Sequence, residues 1–124
     1  MLFRSLNELY SSCVAGVVLS ATNASLVPHE MLAAGCIPVV NDAEHNRLVL
    51  DNDHIAYCAP MPHAIADQLA ALVDRDRTDI EQGARRAAAS VGNGGWSRGE
   101  RQLVDAVARI VDDHRLRGET GQTC

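Results

Sequence analysis

The chain has 124 residues, of which 47% are hydrophobic and 22% charged, values typical of one globular domain or a piece of one. Its net charge of −5 argues against general affinity for nucleic acids. No apolar run reaches the roughly 20 residues that a membrane-spanning helix needs. Four widely spaced cysteines indicate neither a zinc ribbon nor a redox pair. No export signal is recognised, so a cytoplasmic protein is expected.

The first half of the sequence alternates between predicted helices and strands. A capping box at Ser5-Leu6-Asn7-Glu8 marks the first helix, and Gly35 is suited to end the second. The strands are short continuous apolar runs, as in a parallel sheet that is buried on both faces. The predicted elements are a helix over 6–12, a strand over 14–20, a helix from about 26 to Gly35, a strand over 36–40, a helix over 43–50 and a strand over 55–58.

From Pro62 onward, the only regular elements predicted are helices. Pro62 opens a helix, and further capping boxes at Thr78 and Ser97 open two more, with a glycine-rich break over residues 91–95 between them. The polar tail over 113–124 is predicted to be flexible, so the predicted domain covers 1–112. Apolar faces at helical spacing are Ile65, Leu69, Leu72 and Val73 on the first of these helices and Leu103, Val107, Ile110 and Val111 on the last.

This order of elements predicts an α/β fold, a Rossmann-like open parallel sheet of about three strands with helices on both faces. Because aromatic residues are only 3% of the chain, its core must be built from Val, Leu, Ile and Ala. Ligands of such sheets bind at the carboxyl ends of the strands, next to helix N-termini. A candidate site is therefore expected in the loops that follow the strands.

The loop after the first predicted strand is the most informative segment. The N–H groups of Ser25, Leu26 and Val27 would point out of the following helix and could bind a phosphate. Glu30 lies about one turn further on, where its carboxylate could accept hydrogen bonds from two neighbouring hydroxyls, such as those of a ribose. The alternative is that Ser25 is only a helix cap and Glu30 a solvated helix residue.

A resemblance to a known family is carried by residues 9–40, LYSSCVAGVVLSATNASLVPHEMLAAGCIPVV. This stretch resembles the nucleotide-sugar-binding region of GT-B glycosyltransferases of the retaining family 4 type, in which a helix x-L-V-P-x-E-x-x-A-x-G precedes a strand P-V-V. Weaker similarity extends from about residue 6 to 111 and includes Trp96-Ser97 before the last helix. The form T-N-x-S-L-V-P resembles a rhamnosyltransferase-like branch, and the chain resembles a truncated C-terminal domain of that type.

The resemblance implies roles for five residues. Glu30 matches the second glutamate of the family's E-x7-E motif, which binds the nucleotide ribose. Leu26 and Val27 match positions whose backbone faces the donor diphosphate. Thr22 stands where the first glutamate of that motif is expected, eight residues before Glu30, so Thr22 and Asn23 are expected to contact the sugar instead.

Arg47 is the nearest candidate for neutralising a diphosphate, since the chain contains no lysine. It follows the second predicted strand, at the same edge of the sheet. The alternative is a surface arginine that pairs with Glu44 or Asp51. The five histidines show no spacing typical of a metal site.

The resemblance implies a nucleotide-sugar-binding part of a retaining glycosyltransferase that acts in glycan or surface-polysaccharide synthesis. The donor substrate would be a nucleotide diphosphate sugar, with no cofactor and no obligatory metal. The acceptor domain of such enzymes has no counterpart in the sequence, so activity would need a separate N-terminal half as a partner. A non-catalytic α/β binding module and a self-associating module are the alternatives.

Overall fold

The computed structural model describes residues 2–92 and 95–119 of the chain. Six helices and three strands lie within these residues. In chain order they are α1 (Leu2–Ser11), β1 (Ala15–Val18), α2 (Val27–Ala33), β2 (Ile37–Asn41), α3 (Glu44–Leu50), β3 (Ala56–Cys58), α4 (Pro62–Val73), α5 (Arg77–Val91) and α6 (Gly95–Glu119).

The three strands form one parallel sheet in the order β1-β2-β3. Val17 pairs with Val39, and Val39 pairs with Ala56, so the central strand β2 is hydrogen-bonded on both sides. All three strands therefore end at the same edge of the sheet, which we call the carboxyl edge. The predicted α/β class and the parallel sheet are confirmed.

The core lies against one face of this sheet. Val40 of β2 packs there with side chains from α2, α3 and α5. Since successive strand residues point to opposite faces, the equally buried Val39 lies on the other face. Helix α4 contacts all three strands and accounts for that burial. Helices thus cover both faces, as predicted. The core cluster consists of Ala24, Leu32, Val40, Leu50, Ile55 and Ala87.

Two glycines lie where α2 meets its neighbours, Gly35 at its end and Gly16 beside its Met31 side chain. Gly35 ends the helix in the left-handed region, with φ of 80°. There its N–H donates to Leu32 O at 2.9 Å, and the N–H of Cys36 donates to Met31 O at 2.9 Å, which is a Schellman motif. A Cβ on Gly16 of β1 would stand 2.5 Å from Met31 Cε, so the missing side chain leaves room for the end of the Met31 side chain. The predicted helix end at Gly35 is confirmed.

The three predicted capping boxes are wrong. The helices begin at Leu2, Arg77 and Gly95, so the serine or threonine of each box lies inside its helix. A serine followed three residues later by glutamate also occurs on one face of a continuing helix.

The buried face of α4 is narrower than predicted. Leu72 is buried, whereas Ile65 and Leu69 are only partly buried and Val73 is half exposed. Val73 is the last residue of the helix, where the chain leaves the sheet, so helical spacing alone overestimated its contact with the core.

The chain divides into two compact units, residues 1–91 and 92–124. The second unit contains α6, on which the predicted apolar stripe, Leu103, Val107, Ile110 and Val111, is exposed. The predicted boundary at 112 falls inside α6, and the tail is helical as far as Glu119. Asn93, Gly94 and residues 120–124 lie outside the described part of the chain. None of the described helices combines the length and apolarity needed to cross a membrane.

Candidate functional site at the carboxyl edge

The candidate site is the segment between β1 and α2, which we call the β1–α2 loop and define as residues 19–26. It leaves the sheet at the carboxyl edge, as predicted. Thr22, Asn23 and Ser25 are exposed in it, whereas Ala24 is only 3% exposed and belongs to the core. The loop is therefore fixed to the core at Ala24 and presents the side chains around it to solvent.

Two side chains of the loop bind its own backbone. Asn23 Oδ1 accepts a hydrogen bond from the Ser25 N–H at 3.0 Å, and Ser25 Oγ accepts one from the Val27 N–H at 3.3 Å. Such bonds to a residue two positions on are typical of asparagine and serine turns. Ser25 adopts a positive φ of 55°, a conformation that the first of these bonds supports.

These bonds correct the expectation that three free N–H groups would be available for phosphate. The N–H groups of Ser25 and Val27 already have acceptors in the loop. The Leu26 N–H has no hydrogen-bond acceptor among the described residues. Short polar side chains in an exposed turn reach the backbone more readily than a helix pattern suggests. The prediction that Ser25 is the N-cap of α2 is wrong, because Leu26 occupies that position without a side-chain capping bond and Ser25 Oγ instead closes a turn with the Val27 N–H.

Glu30 lies in the first turn of α2 and is exposed. Its N–H donates to Leu26 O at 3.0 Å, which is the first hydrogen bond of the helix. No ion pair within the described part of the chain involves its carboxylate. The carboxylate is thus accessible on the helix that directly follows the loop carrying Thr22 and Asn23.

Asn41 and Asn46 were not singled out in the sequence, yet they connect the loop to the sheet. Asn41 is the last residue of β2, and its side-chain amide is hydrogen-bonded to both backbone groups of Ser20. Asn46 of α3 is 1% exposed and donates to backbone oxygens of Asn41 and Ser20. An asparagine directly after a buried apolar run was the available sequence signal.

Arg47 lies beside this network and is already paired. Its Nε and Nη2 donate to the two carboxylate oxygens of Asp42 at 2.6 Å and 2.9 Å, and its guanidinium stands 4.4 Å from the centre of the Tyr57 ring. The partner is thus neither Glu44 nor Asp51, the two candidates predicted from the sequence. Asp42 follows β2 directly, and the β2–β3 pairing continues through it, since its N–H donates to Cys58 O at 2.7 Å.

The environment of this ion pair shifts the pKa values of Asp42, Arg47 and the neighbouring Tyr57. The hydrogen bond from Arg47 lowers the pKa of the Asp42 carboxyl below 3.8 and raises the pKa of the Arg47 guanidinium. Burial raises the pKa of Tyr57 above 10.0, so its phenol stays neutral at physiological pH. The pair therefore contributes one fixed positive and one fixed negative charge at this edge.

Three polar side-chain atoms near the carboxyl edge are buried without a hydrogen-bond partner within the described structure. They are His45 Nε2, Asn46 Oδ1 and Tyr57 Oη. Unpartnered buried polar atoms are rare in proteins, and strain, a catalytic role or a bound water or ion accounts for them. Their position next to Asn41 and Arg47 is consistent with a polar site at this edge.

The cysteines and acidic residues do not form a metal centre in the described parts of the chain, where no group of three or more His, Cys, Asp or Glu side chains is suitably placed. Cys36, which was predicted to be buried, is 1% exposed, and burial raises its pKa to about 11. Cys58 is partly buried. A thiol with so high a pKa is poorly reactive at neutral pH.

A cavity of about 280 Å³ lies at the opposite edge of the sheet, where the strands begin. Its lining includes Gly35, Ile55, Leu72 and Gly83. None of the residues expected to contact a donor lies in this cavity. This cavity is therefore distinct from the site predicted from the sequence.

The fold and the loop at its carboxyl edge define a partial Rossmann-like α/β domain. Residues 1–70 match the family model described as WsaF, C-terminal domain. Because this match covers more than half of the chain, the protein belongs to the WsaF C-terminal domain family, a glycosyltransferase-associated domain. No curated protein and no solved structure gives a significant match. The matched residues include all three strands and the β1–α2 loop.

Proposed function

We propose that this chain supplies the nucleotide-sugar-binding part of a retaining glycosyltransferase of the GT-B, family 4 type. The observation that carries the proposal is the β1–α2 loop, which leaves a parallel sheet at its carboxyl edge and leads into a helix with an exposed glutamate. Open α/β sheets bind their ligands at this edge. Membership of a glycosyltransferase-associated family supports the same reading.

In this proposal Glu30 binds the ribose of the donor. A carboxylate can accept hydrogen bonds from two neighbouring hydroxyls at once, and this one is exposed and unpaired within the described structure. Thr22 and Asn23 contact the sugar through their exposed side chains. Transfer of the sugar to an acceptor is assigned to a complete assembly with an acceptor domain, and no metal ion is required.

The diphosphate is the part of the donor that must compete with existing contacts. The bond from the Val27 N–H to Ser25 Oγ is exposed and long, at 3.3 Å, so a phosphate oxygen can replace the serine as acceptor. Arg47 is bound to Asp42 through two donors, but the guanidinium has five N–H groups, and the remainder are available for a phosphate. Binding is therefore expected to disturb the amides of both segments.

The proposal is tested by titrating the chain with UDP, dTDP and GDP, each with and without a sugar, while recording backbone amide shifts by NMR. We expect perturbations centred on residues 22–30 and on Arg47 for one of the bases. Glu30→Gln keeps the shape of the side chain but removes its charge. It should weaken binding by about tenfold, since a hydrogen bond to a charged group is worth about 1.5 kcal/mol or more.

Glu8→Gln is the matched control, because Glu8 is an exposed glutamate on the surface of α1. The nucleotide affinity of the Glu8→Gln variant should equal that of the unsubstituted chain. An absence of shifts at millimolar nucleotide, or equal affinity in the Glu30→Gln variant, would reject the donor site. The non-catalytic module would then be the better description.

A further inference from the structure

We infer that Asn41 and Asn46 are positioning residues, which fix the point where the β1–α2 loop leaves the sheet and so set how Thr22 and Asn23 are presented. The effect on ligand binding rests on the proposed function. The effect on the loop itself does not, because it follows from contacts within this chain.

The first contact is the side chain of Asn41. Its Oδ1 accepts from the Ser20 N–H at 2.7 Å, and its Nδ2 donates to Ser20 O at 2.8 Å. One primary amide thus satisfies both backbone groups of a residue 21 positions earlier, as a neighbouring strand would do. The last backbone pairing of β1 is Val18 with Val40, so the side chain of Asn41 takes over where the strand ladder ends.

The backbone of Asn41 pairs with β3, the strand on the other side of β2. Asn41 pairs with Cys58 in the β2–β3 ladder, while its side chain holds Ser20 beyond the end of β1. The residue is 9% exposed, and its hydrogen bonds to Ser20 are partly buried. A single buried asparagine therefore connects all three strands at the carboxyl edge.

Asn46, which lies in α3, stabilises this arrangement with further hydrogen bonds. Its Nδ2 donates to Asn41 O at 3.0 Å and lies 3.5 Å from Ser20 O. Two carbonyl oxygens face this atom, so the amide must present its nitrogen to them, because an oxygen there would be repelled. Ser20 O thus lies between donors from two different elements.

The segment beyond Ser20 shows what this network controls. Ala21, Thr22 and Asn23 are exposed, and the next buried residue is Ala24. The exposed residues 21–23 are thus held at both ends, by the hydrogen bonds of Ser20 and by the packing of Ala24 in the core. If Ser20 is released, Thr22 and Asn23 lose one of their two fixed ends.

Asn41→Asp tests this role with minimal change of shape. At neutral pH a carboxylate keeps the acceptor for the Ser20 N–H but places a negative oxygen against Ser20 O. We expect hydrogen exchange of the Ser20 and Ser25 amides, which have acceptors in the described structure, to accelerate about tenfold or more relative to the unsubstituted chain, with strand amides unchanged. If the donor site exists, nucleotide affinity should fall by about tenfold.

Protonation supplies a rescue that a general loss of packing would not show. A neutral carboxylic acid donates and accepts as the amide does, so the exchange ratio to the unsubstituted chain should return toward one as the pH falls from about 7 to about 5. The ratio cancels contributions from the neighbouring Asp42, His45 and Arg47, which both proteins share.

Asn52→Asp is the matched control at the other edge of the sheet. It introduces the same charge and removes the donor from Asn52 Nδ2 to Ser90 Oγ, which is 3.0 Å long. Loop exchange in this variant should match that of the unsubstituted chain. If Asn41→Asp does not fold, Asn46→Leu tests the positioning role instead, because it removes a donor without adding charge.

The outcomes separate the two proposals. Loop-restricted acceleration in Asn41→Asp or Asn46→Leu, absent from Asn52→Asp, supports the positioning role even if no nucleotide binds to the unsubstituted chain. In that case only the proposed function fails. Unchanged loop exchange, or equal acceleration in the control, overturns the positioning role whatever the nucleotide titration shows.

Discussion

At the scale of single residues, the carboxyl edge is built from polar side chains that bind one another as well as solvent. Asn41 acts as a substitute for a backbone partner, and Arg47 is neutralised by Asp42 and stacked on Tyr57. The consequence is that the charge of Arg47 is not freely available for a ligand. Any anion that binds here must share the guanidinium with a carboxylate.

The Arg47–Asp42 pair gives a prediction about pH. Because the folded-state pKa of Asp42 lies below its ordinary 3.8, the pair stabilises the fold above pH 3.8 and loses that contribution as the pH falls through the lower value. Arg47→Gln should move the Asp42 pKa upward, toward 3.8. Carboxyl chemical shifts recorded against pH measure this directly.

Arg77→Gln is the control for this experiment, since it breaks another exposed ion pair, Arg77 with Glu81 at 3.0 Å, on α5. The titration of Asp42 should be unaffected. An Asp42 midpoint that does not move in the Arg47→Gln variant would show that the hydrogen bonds of the pair are not formed in solution.

At the scale of elements, the ends of α2 determine where the site lies. Gly35 ends the helix in a left-handed conformation that turns the chain directly into β2. At the other end, the β1–α2 loop is closed by its own asparagine and serine. The helix has seven residues, so its position depends on these ends and on packing more than on helix propensity.

Two alanine substitutions test the helix end. Gly35→Ala should destabilise the fold by about 1–2 kcal/mol, because a left-handed alanine is strained. Its Cβ would also stand 3.2 Å from Ala84 Cβ. Gly83→Ala in α5 should stabilise the fold by about 0.5–1 kcal/mol, because alanine favours helix interiors and its Cβ would meet nothing within 4 Å.

Urea-induced unfolding monitored by circular dichroism gives both free energies. Gly83→Ala serves as the control for the general effect of replacing glycine. Equal changes for the two substitutions would mean that Gly35 is not left-handed in solution.

At the scale of the whole molecule, the core cluster lies within the first compact unit. All six of its members belong to residues 1–91. The family match, residues 1–70, also falls entirely within that unit. The first unit is therefore the part of the chain to which both the core and the candidate site belong.

A chain that ends at Gly92 tests this division. We expect it to unfold cooperatively and to keep the amide spectrum of residues 15–58, because its buried cluster is complete without the second unit. Thermal unfolding followed by circular dichroism, with an NMR spectrum of the folded state, checks both points. A broad, non-cooperative transition would show that α6 is needed for the core.

The sequence by itself determined the fold class and the order of the elements. Continuous apolar runs identified the three strands, and Gly35 identified a helix end, because these signals depend on neighbouring residues only. The same holds for the location of the β1–α2 loop. Capping boxes failed at Ser5, Thr78 and Ser97, since a pattern of four residues does not distinguish a helix start from a helix interior.

Only the tertiary structure decided how the polar residues of the site are connected. Asn41 binds Ser20 across 21 positions of sequence, and Arg47 lies over Tyr57 of a different element. The choice of Asp42 over Glu44 or Asp51 as the partner of Arg47 depends on the direction in which β2 ends. Side-chain partners of this kind are set by the three-dimensional approach of elements, which no local pattern encodes.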